Sequence, residues 1–437
     1  LVVGIDYAYP PQLALYVRHE WELATGASMP IEEGNLERVL TIAYQASLLR
    51  DEDRPVRVRL VVAEPSDFDA LGGPPIDLQP LAFETPVVLN PEQLRRLAVG
   101  AKYHRALVGV RIAEDGRLVV WGILQSGPGW IQVAQGSRGP APSPPPSALV
   151  VRVLGAGLIA VARGSTTLAE LRGGVVGGPG LDVFASRWLP ARFAEARAEL
   201  REIHAEAKAH AEANGERWAV LGTDVVTLVS QAMVRRFLAA MVAAHHGGAV
   251  IVLPYDHTED VVSGSGPLRL RYAFRDTDSR RRYRRILRSL MADIARAGGR
   301  AGVAEVDVAT YAALRDTEVA TWRDAIFEMS QLIAALTEVD GAVVMTKRFE
   351  LLGFGAEIAG DLPDVQHVER ALDLEASDTA REALTADGTR HRSAYRLCSR
   401  VPDAVALVVS QDGGVRFIAK HNGEVTFWEH AAEAVDV

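Results

Sequence analysis

The sequence predicts an α/β protein of more than one module, and three observations carry that expectation. Short uninterrupted apolar runs at 249–253 and 404–409 read as strands buried on both faces, while 187–213, 224–244 and 316–339 carry helical patterns. At 437 residues the chain exceeds what one ordinary core holds, so two or three domains are expected. An apolar fraction of 48% is that of a globular protein.

Residues 1–95 form a first mixed α/β region, with a helical stretch at 36–50 and an alternating strand at 56–63. The proline-rich run 73–91 is expected to break regular structure. Residues 96–303 form a second α/β module. There, 108–112 and 118–121 flank Asp115-Gly116, a hairpin signal, and strands at 130–133 and 148–153 bracket a proline-rich loop at 139–146. The glycine-rich 173–180 lacks the lysine and hydroxyl of a phosphate loop and reads as a connection. The helical block, the strand 249–253 and a basic helix over 280–296 follow. Residues 304–437 form the last module: a helix at 316–339, a turn at Asp340-Gly341, a strand at 343–345, a helix from 389 and the strand 404–409.

A net charge of −9 and a pI near 5.7 argue against a polyanion-coating surface, so nucleic acid is an unlikely partner. Arg280, Arg281, Arg282, Arg284, Arg285 and Arg288 are expected to pair with the chain's acids. The single cysteine, Cys398, excludes an internal disulfide and falls on an apolar helix face, where a thiol acts as a small hydrophobe. His204, Glu206 and His210 share one helix, but only the last two share a face, so solvated polar residues explain them better than a metal. No stretch reads as able to span a bilayer, because 237–253 is interrupted by His245-His246-Gly247-Gly248. With no basic leader before an apolar core, the expected setting is cytoplasmic, without a membrane partner.

The chemistry concentrates late in the chain. Asp387-Gly388-Thr389-Arg390-His391-Arg392 precedes an apolar face at Ala394, Leu397, Cys398 and Val401, which makes it a helix mouth with Thr389 as its cap. Helix mouths attract phosphate; Gly388 permits close backbone approach, and Arg390 and Arg392 can add charge-assisted bonds. Asp340, at a helix-to-strand junction, can hold a divalent cation against phosphate oxygens. Ser410 and Asp412 follow the strand 404–409, at the kind of carboxyl end where open α/β sheets bind ligands.

Asp340-Gly341-Ala342, Gly388-Thr389-Arg390-His391-Arg392 and Val408-Val409-Ser410, in this order, resemble the DGA, GTRHR and VVS motifs of the diadenylate cyclases, over about residues 320–425. The resemblance implies a mixed sheet flanked by helices and the condensation of two ATP into cyclic di-AMP with loss of two pyrophosphates. Two protomers would meet face to face, or in a higher homo-oligomer, each ribose 3′-hydroxyl attacking the opposite α-phosphate. It also implies Mg2+ or Mn2+ on Asp340 and Asp412, and catalytic roles for Asp340, Arg390, His391 and Arg392. Nucleotide contacts would come from Gly341, Ala342, Gly353, Gly355, Gly388, Thr389 and Ser410. The chain departs from the family pattern in having Gln411 and Asp412 where two glutamates are usual. It also carries Ile358-Ala-Gly360 where Pro-Leu-Ser usually ends the adenine-side stretch. The connection 360–387 is longer than usual, with an extra helical turn expected at 368–372. These departures motivate an alternative, a nucleotide-binding regulatory protein with weak or no turnover. The preceding module is similar to the sensor domains fused to some members, the match resting on His246-Gly247-Gly248, with an unnamed ligand.

Overall fold

The computed structural model describes residues 7–68, 78–103, 105–125, 148–164, 166–178, 180–244, 246–358, 362–384, 388–411 and 413–431. The expected strand at 130–133, the loop at 139–146, Asp387 and Asp412 lie outside the described residues. The chain divides into two compact units, 1–179 and 180–437, each with its own mixed sheet and flanking helices.

The first unit is built on strands β1 (Val58–Val62), β2 (Gln79–Val88), β3 (Ala106–Ile112), β4 (Leu118–Gln125), β5 (Leu149–Gly155), β6 (Leu158–Arg163), β7 (Thr166–Arg172) and β8 (Val175–Gly177). They lie in the order β8-β7-β6-β5-β1-β3-β4-β2, all antiparallel neighbours except the parallel pair β1 and β3. Helices α1 (Pro10–Thr25), α2 (Glu33–Ser47) and α3 (Pro91–Gly100) share the core of this sheet. In α2 the buried positions Leu36, Val39, Leu40 and Ala43 recur at spacings of three and four and form one stripe. The hairpin expected around Asp115-Gly116 joins β3 and β4. The proline-rich run, in contrast, contains the strand β2 with Pro80 and Pro86 inside it. It lies at the sheet edge, where a missing N–H breaks no central ladder.

The second unit holds β9 (Gly248–Leu253), β10 (Leu268–Ala273), β11 (Ala342–Thr346), β12 (Leu351–Ile358), β13 (His367–Ala371), β14 (Thr379–Ala383), β15 (Val405–Val409), β16 (Val415–His421) and β17 (Glu424–His430). Their order is β10-β12-β11-β9-β15-β16-β17-β13-β14. The long helices are α4 (Ala194–Ala213), α5 (Thr223–Ala244), α6 (Arg282–Arg300), α7 (Thr317–Leu336) and α8 (Thr389–Arg400). Alternation along the strands sorts the two faces: Val250, Val252, Val343, Met345, Val405 and Leu407 join the core of α5, α6 and α7. Ala249, Ile251, Val344, Ala406 and Val408 join the core of α8.

This arrangement changes the expected division of the chain. β9 lies between β11 and β15, so the sheet carrying the late motifs draws on residues well before 304, and a cut at 95/96 would pass through α3. Residues 367–371 are a strand rather than a helical turn, because β13 pairs with β17 and β14 and extends the sheet. One apolar stretch, Thr223–Val242, is long and apolar enough to cross a membrane, contrary to the reading from 237–253 alone. Here it is most of α5, and Val225, Val229, Met233, Phe237 and Met241 sit in the unit's main core.

Candidate functional site

Three turns meet at one edge of the second sheet. β9 and β11 are parallel and both begin there, with Val250 opposite Val343. β15 runs against β9 and ends there, with Val409 opposite Gly248. The acidic turn leads into β11 through Gly341, whose φ is +110°. A Cβ on Gly341 would stand 2.6 Å from the carbonyl carbon of Gly355 and 2.8 Å from the nitrogen of Ala356. Only glycine allows that approach, and the acidic turn is thereby seated on β12, where Ala342 is opposite Ala356. Gly355, at φ +63°, reciprocates, since its own Cβ would lie 3.6 Å from the Asp340 carbonyl oxygen.

The mouth of α8 opens at the same edge. Its cap is Gly388, at φ −66° and ψ 165°, with Arg392 N–H donating to the Gly388 carbonyl at 3.2 Å; Thr389 is the first helical residue and not the cap. Among the described residues no side chain caps the helix, and its first turn holds no acid. The N–H groups of Thr389, Arg390 and His391 therefore have no acceptor within the helix. Arg390 reaches the turn into β9: a Cβ on Gly247 would lie 3.4 Å from Arg390 Nη1, 3.1 Å from the Val409 oxygen and 3.3 Å from the Gln411 nitrogen. On the other side, a Cβ on Gly248 would stand 2.7 Å from Cβ of Thr337, which ends α7 three residues before Asp340. The His246-Gly247-Gly248 turn is thus wedged between the helix mouth and the acidic turn. With strands about 4.8 Å apart, two strand spacings, about 10 Å, separate β11 from β15.

The side chains differ in how far they are committed. Asp340 is exposed and, among the described residues, makes no hydrogen bond or ion pair. Arg390 and Arg392 likewise have no carboxylate partner there. On α6, Arg281 bonds the buried Glu350 at 2.9 Å, Arg284 bonds Glu199, and Arg285 bonds Asp278 at 3.0 Å, so those arginines pair as expected. The His391 ring lies 6.4 Å from the Tyr395 ring, and the Tyr395 hydroxyl accepts from Arg416 Nη1 at 3.0 Å. Ser410 closes the turn after β15, its Oγ donating to the Gly414 carbonyl at 3.1 Å, so the hydroxyl proton is engaged. Gly353 has a packing explanation, because its Cβ would stand 2.3 Å from the Tyr272 carbonyl oxygen on β10. Phe354 beside it stacks on Tyr272 with ring centroids 4.7 Å apart. Burial pushes the Cys398 thiol up to about 12, which keeps it protonated at neutral pH.

The structure therefore brings together Asp340, Gly341, Ala342 and Gly355 on one side and Gly388, Thr389, Arg390 and Ser410 on the other. Gly247, Gly248 and Thr337 join them as structural members that the sequence reading assigned elsewhere. Among the described residues no cluster of three metal-ligating side chains occurs. An unpaired, exposed Asp340 beside a phosphate-seeking helix mouth still fits Mg2+ or Mn2+, which take one or two carboxylates and complete their shell with phosphates and water.

Comparison with known proteins adds one family match. Residues 26–125 match the family described as "Probable sensor domain DACNV". The amino-terminal unit is similar to a sensor domain. That match falls in the first unit, so His246-Gly247-Gly248, on which the sensor resemblance rested, belongs to the other sheet. No curated protein matches the chain. Among solved structures, a hypothetical membrane spanning protein from Bacillus cereus is similar at 16% identity over 46% of this chain and 63% of that one, with a TM-score of 0.23. The chain therefore spans less than two thirds of that protein's length, and the superposition is too loose to bear on fold or function.

Proposed function

We propose that this chain is a diadenylate cyclase that joins two ATP molecules into cyclic di-AMP across a pair of protomers. Each ribose 3′-oxygen forms a bond to the α-phosphorus of the opposite nucleotide, the bond from that phosphorus to the β-phosphate bridging oxygen breaks, the hydroxyl proton is lost and pyrophosphate leaves. One observation carries the reading: the Asp340 turn and the arginine-bearing mouth of α8 share a sheet edge, with the Gly247 turn between them.

In this reading Arg390, Arg392 and the N–H groups of the first turn of α8 hold phosphate oxygens and the charge that builds on them. His391 assists them, and Gly341 and Ala342 form the floor on which the nucleotide rests. Asp340, with Asp412, would hold Mg2+ or Mn2+, and the ion when bound would neutralise phosphate charge and favour loss of the 3′-hydroxyl proton. Such transfers rest on positioning and electrostatics, so no side-chain nucleophile is needed. Dependence on cellular ATP makes the cytoplasm the setting, and the sensor-like residues 26–125 would regulate turnover.

The test is full-length protein incubated with ATP and Mn2+, with cyclic di-AMP read by mass spectrometry. Asp340→Ala should reduce product at least 100-fold with its unfolding midpoint unchanged, because the side chain is exposed and unpartnered among the described residues. A second reading, a nucleotide-binding regulator without turnover, draws on the Ser410 hydroxyl's bond to Gly414 and on Gln411 in place of a usual acid. Saturable ATP binding without product would favour that second reading. Absence of both binding and product would overturn the two together.

A further inference from the structure

On the face of the second sheet away from α8, a cavity of about 60 Å3 opens between the strands, α5 and the start of α4. Phe184, Phe193, Met345, Leu407 and Phe417 supply much of its wall, and the lining is almost wholly apolar. The donors that reach it from α5 are already engaged. Ser230 Oγ donates to the Val226 carbonyl at 2.8 Å, Thr227 Oγ1 to Thr223 at 3.0 Å and Gln231 Nε2 to Phe184 at 3.1 Å.

Arg197 is the exception. It lines the cavity from α4, and its Nε is buried with no hydrogen-bond acceptor among the described residues. Burial lowers its pKa, and the charged neighbour acting on it is Arg201, of the same sign. A buried donor of this kind favours an acceptor supplied from outside the chain.

We propose that this cavity binds a short-chain carboxylate of about two to four carbons, scaling from the larger apolar cavities that accept benzene. The alkyl tail lies among Phe184, Phe193, Leu407 and Phe417, and a carboxylate oxygen accepts from Arg197 Nε. Long acyl chains exceed the volume, and a neutral hydrocarbon would leave the donor unpaired. This inference does not depend on the cyclase reading.

The experiment titrates the full chain with butyrate by calorimetry and thermal unfolding, with butylammonium as the equal-sized ligand of opposite charge. Saturable one-to-one butyrate binding with a raised Tm is expected, and no butylammonium binding. Arg197→Met, which keeps the stem and removes the donors, should weaken butyrate at least tenfold while leaving the unliganded Tm within a few degrees. Val234→Phe, which fills the cavity, should abolish binding. Failure of the wild-type chain to bind butyrate saturably would overturn the proposal. So would butyrate binding unchanged in Arg197→Met, or equal affinity for butylammonium.

Discussion

Gly341 holds the acidic turn in place because nothing larger fits there. With φ at +110° and backbone of Gly355 and Ala356 less than 3 Å from any added Cβ, Gly341→Ala combines strain with overlap that no side-chain rotation relieves. It should cost more than about 2 kcal/mol in denaturant unfolding. Gly388→Ala, at φ −66° with no non-neighbouring atom of the described residues within 4 Å of an added Cβ, should cost only about 0.5–1 kcal/mol through the poorer cap. Equal costs would mean that the close approach is not what fixes the turn. A second residue-level prediction concerns His430, whose Nδ1 accepts from Val183 N–H at 3.1 Å. Burial holds this imidazole down at about 4, from an ordinary 6.5, against the opposing pull of Asp182; Arg235, paired with Asp182, adds to the lowering. The unfolded chain therefore binds the proton first. Stability is fully present above pH 6.5 and falls progressively as pH drops toward 4, by on the order of 3 kcal/mol from this group. Urea midpoints measured across that window should slope less in His430→Gln than in wild type, and identical slopes would remove His430 from the account.

Elements written as local pattern were legible in the sequence. The hairpin around Asp115-Gly116, the apolar runs that became β9 and β15, and the helix at 389, its cap one residue earlier than read, all appear. What was not legible depended on neighbours distant in the chain. Pro80 and Pro86 are tolerated because β2 is an edge, and 367–371 is extended because β17 offers it a ladder. Similarly, His246-Gly247-Gly248 became part of the candidate site only because β9 inserts between β11 and β15. The basic helix α6 shows the same dependence, since Arg281 and Arg284 at its start are answered by acids far away in sequence. Glu350 is 2% exposed, 2.9 Å from Arg281 and 3.9 Å from Arg284, itself 12% exposed. Removing Glu350 strands Arg284 beside Glu199 alone, while Arg281, 45% exposed, is screened by water. Glu350→Ala should therefore destabilise by about 2 kcal/mol, below the full cost of a wholly buried pair, as read from denaturant midpoints. A neutral outcome would show that the pairing on α6 adds nothing to the fold.

The two-unit division has a consequence for the whole molecule that separates it from the division read along the sequence. The motifs from Asp340 to Ser410 all follow residue 304, yet their sheet is completed by β9, and their core by α5 and α6, all of which precede it. A fragment of residues 304–437 would lose the strand between β11 and β15, exposing two unpaired edges at the centre of the sheet. It would also leave Val343, Met345, Val405 and Leu407 facing water in place of Val225, Phe237, Leu287 and Ile294, which share their core. A fragment of residues 180–437 keeps all nine strands, the five long helices and the Gly247 turn beside Arg390. The longer fragment should unfold cooperatively and bind ATP, while the shorter one should aggregate or give the circular dichroism of an unfolded chain. Circular dichroism, gel filtration and nucleotide titration of the two fragments decide the matter. A folded, ATP-binding 304–437 would mean that the acidic turn and the helix mouth converge without β9, and the wedge at Gly247 would lose its place in the argument.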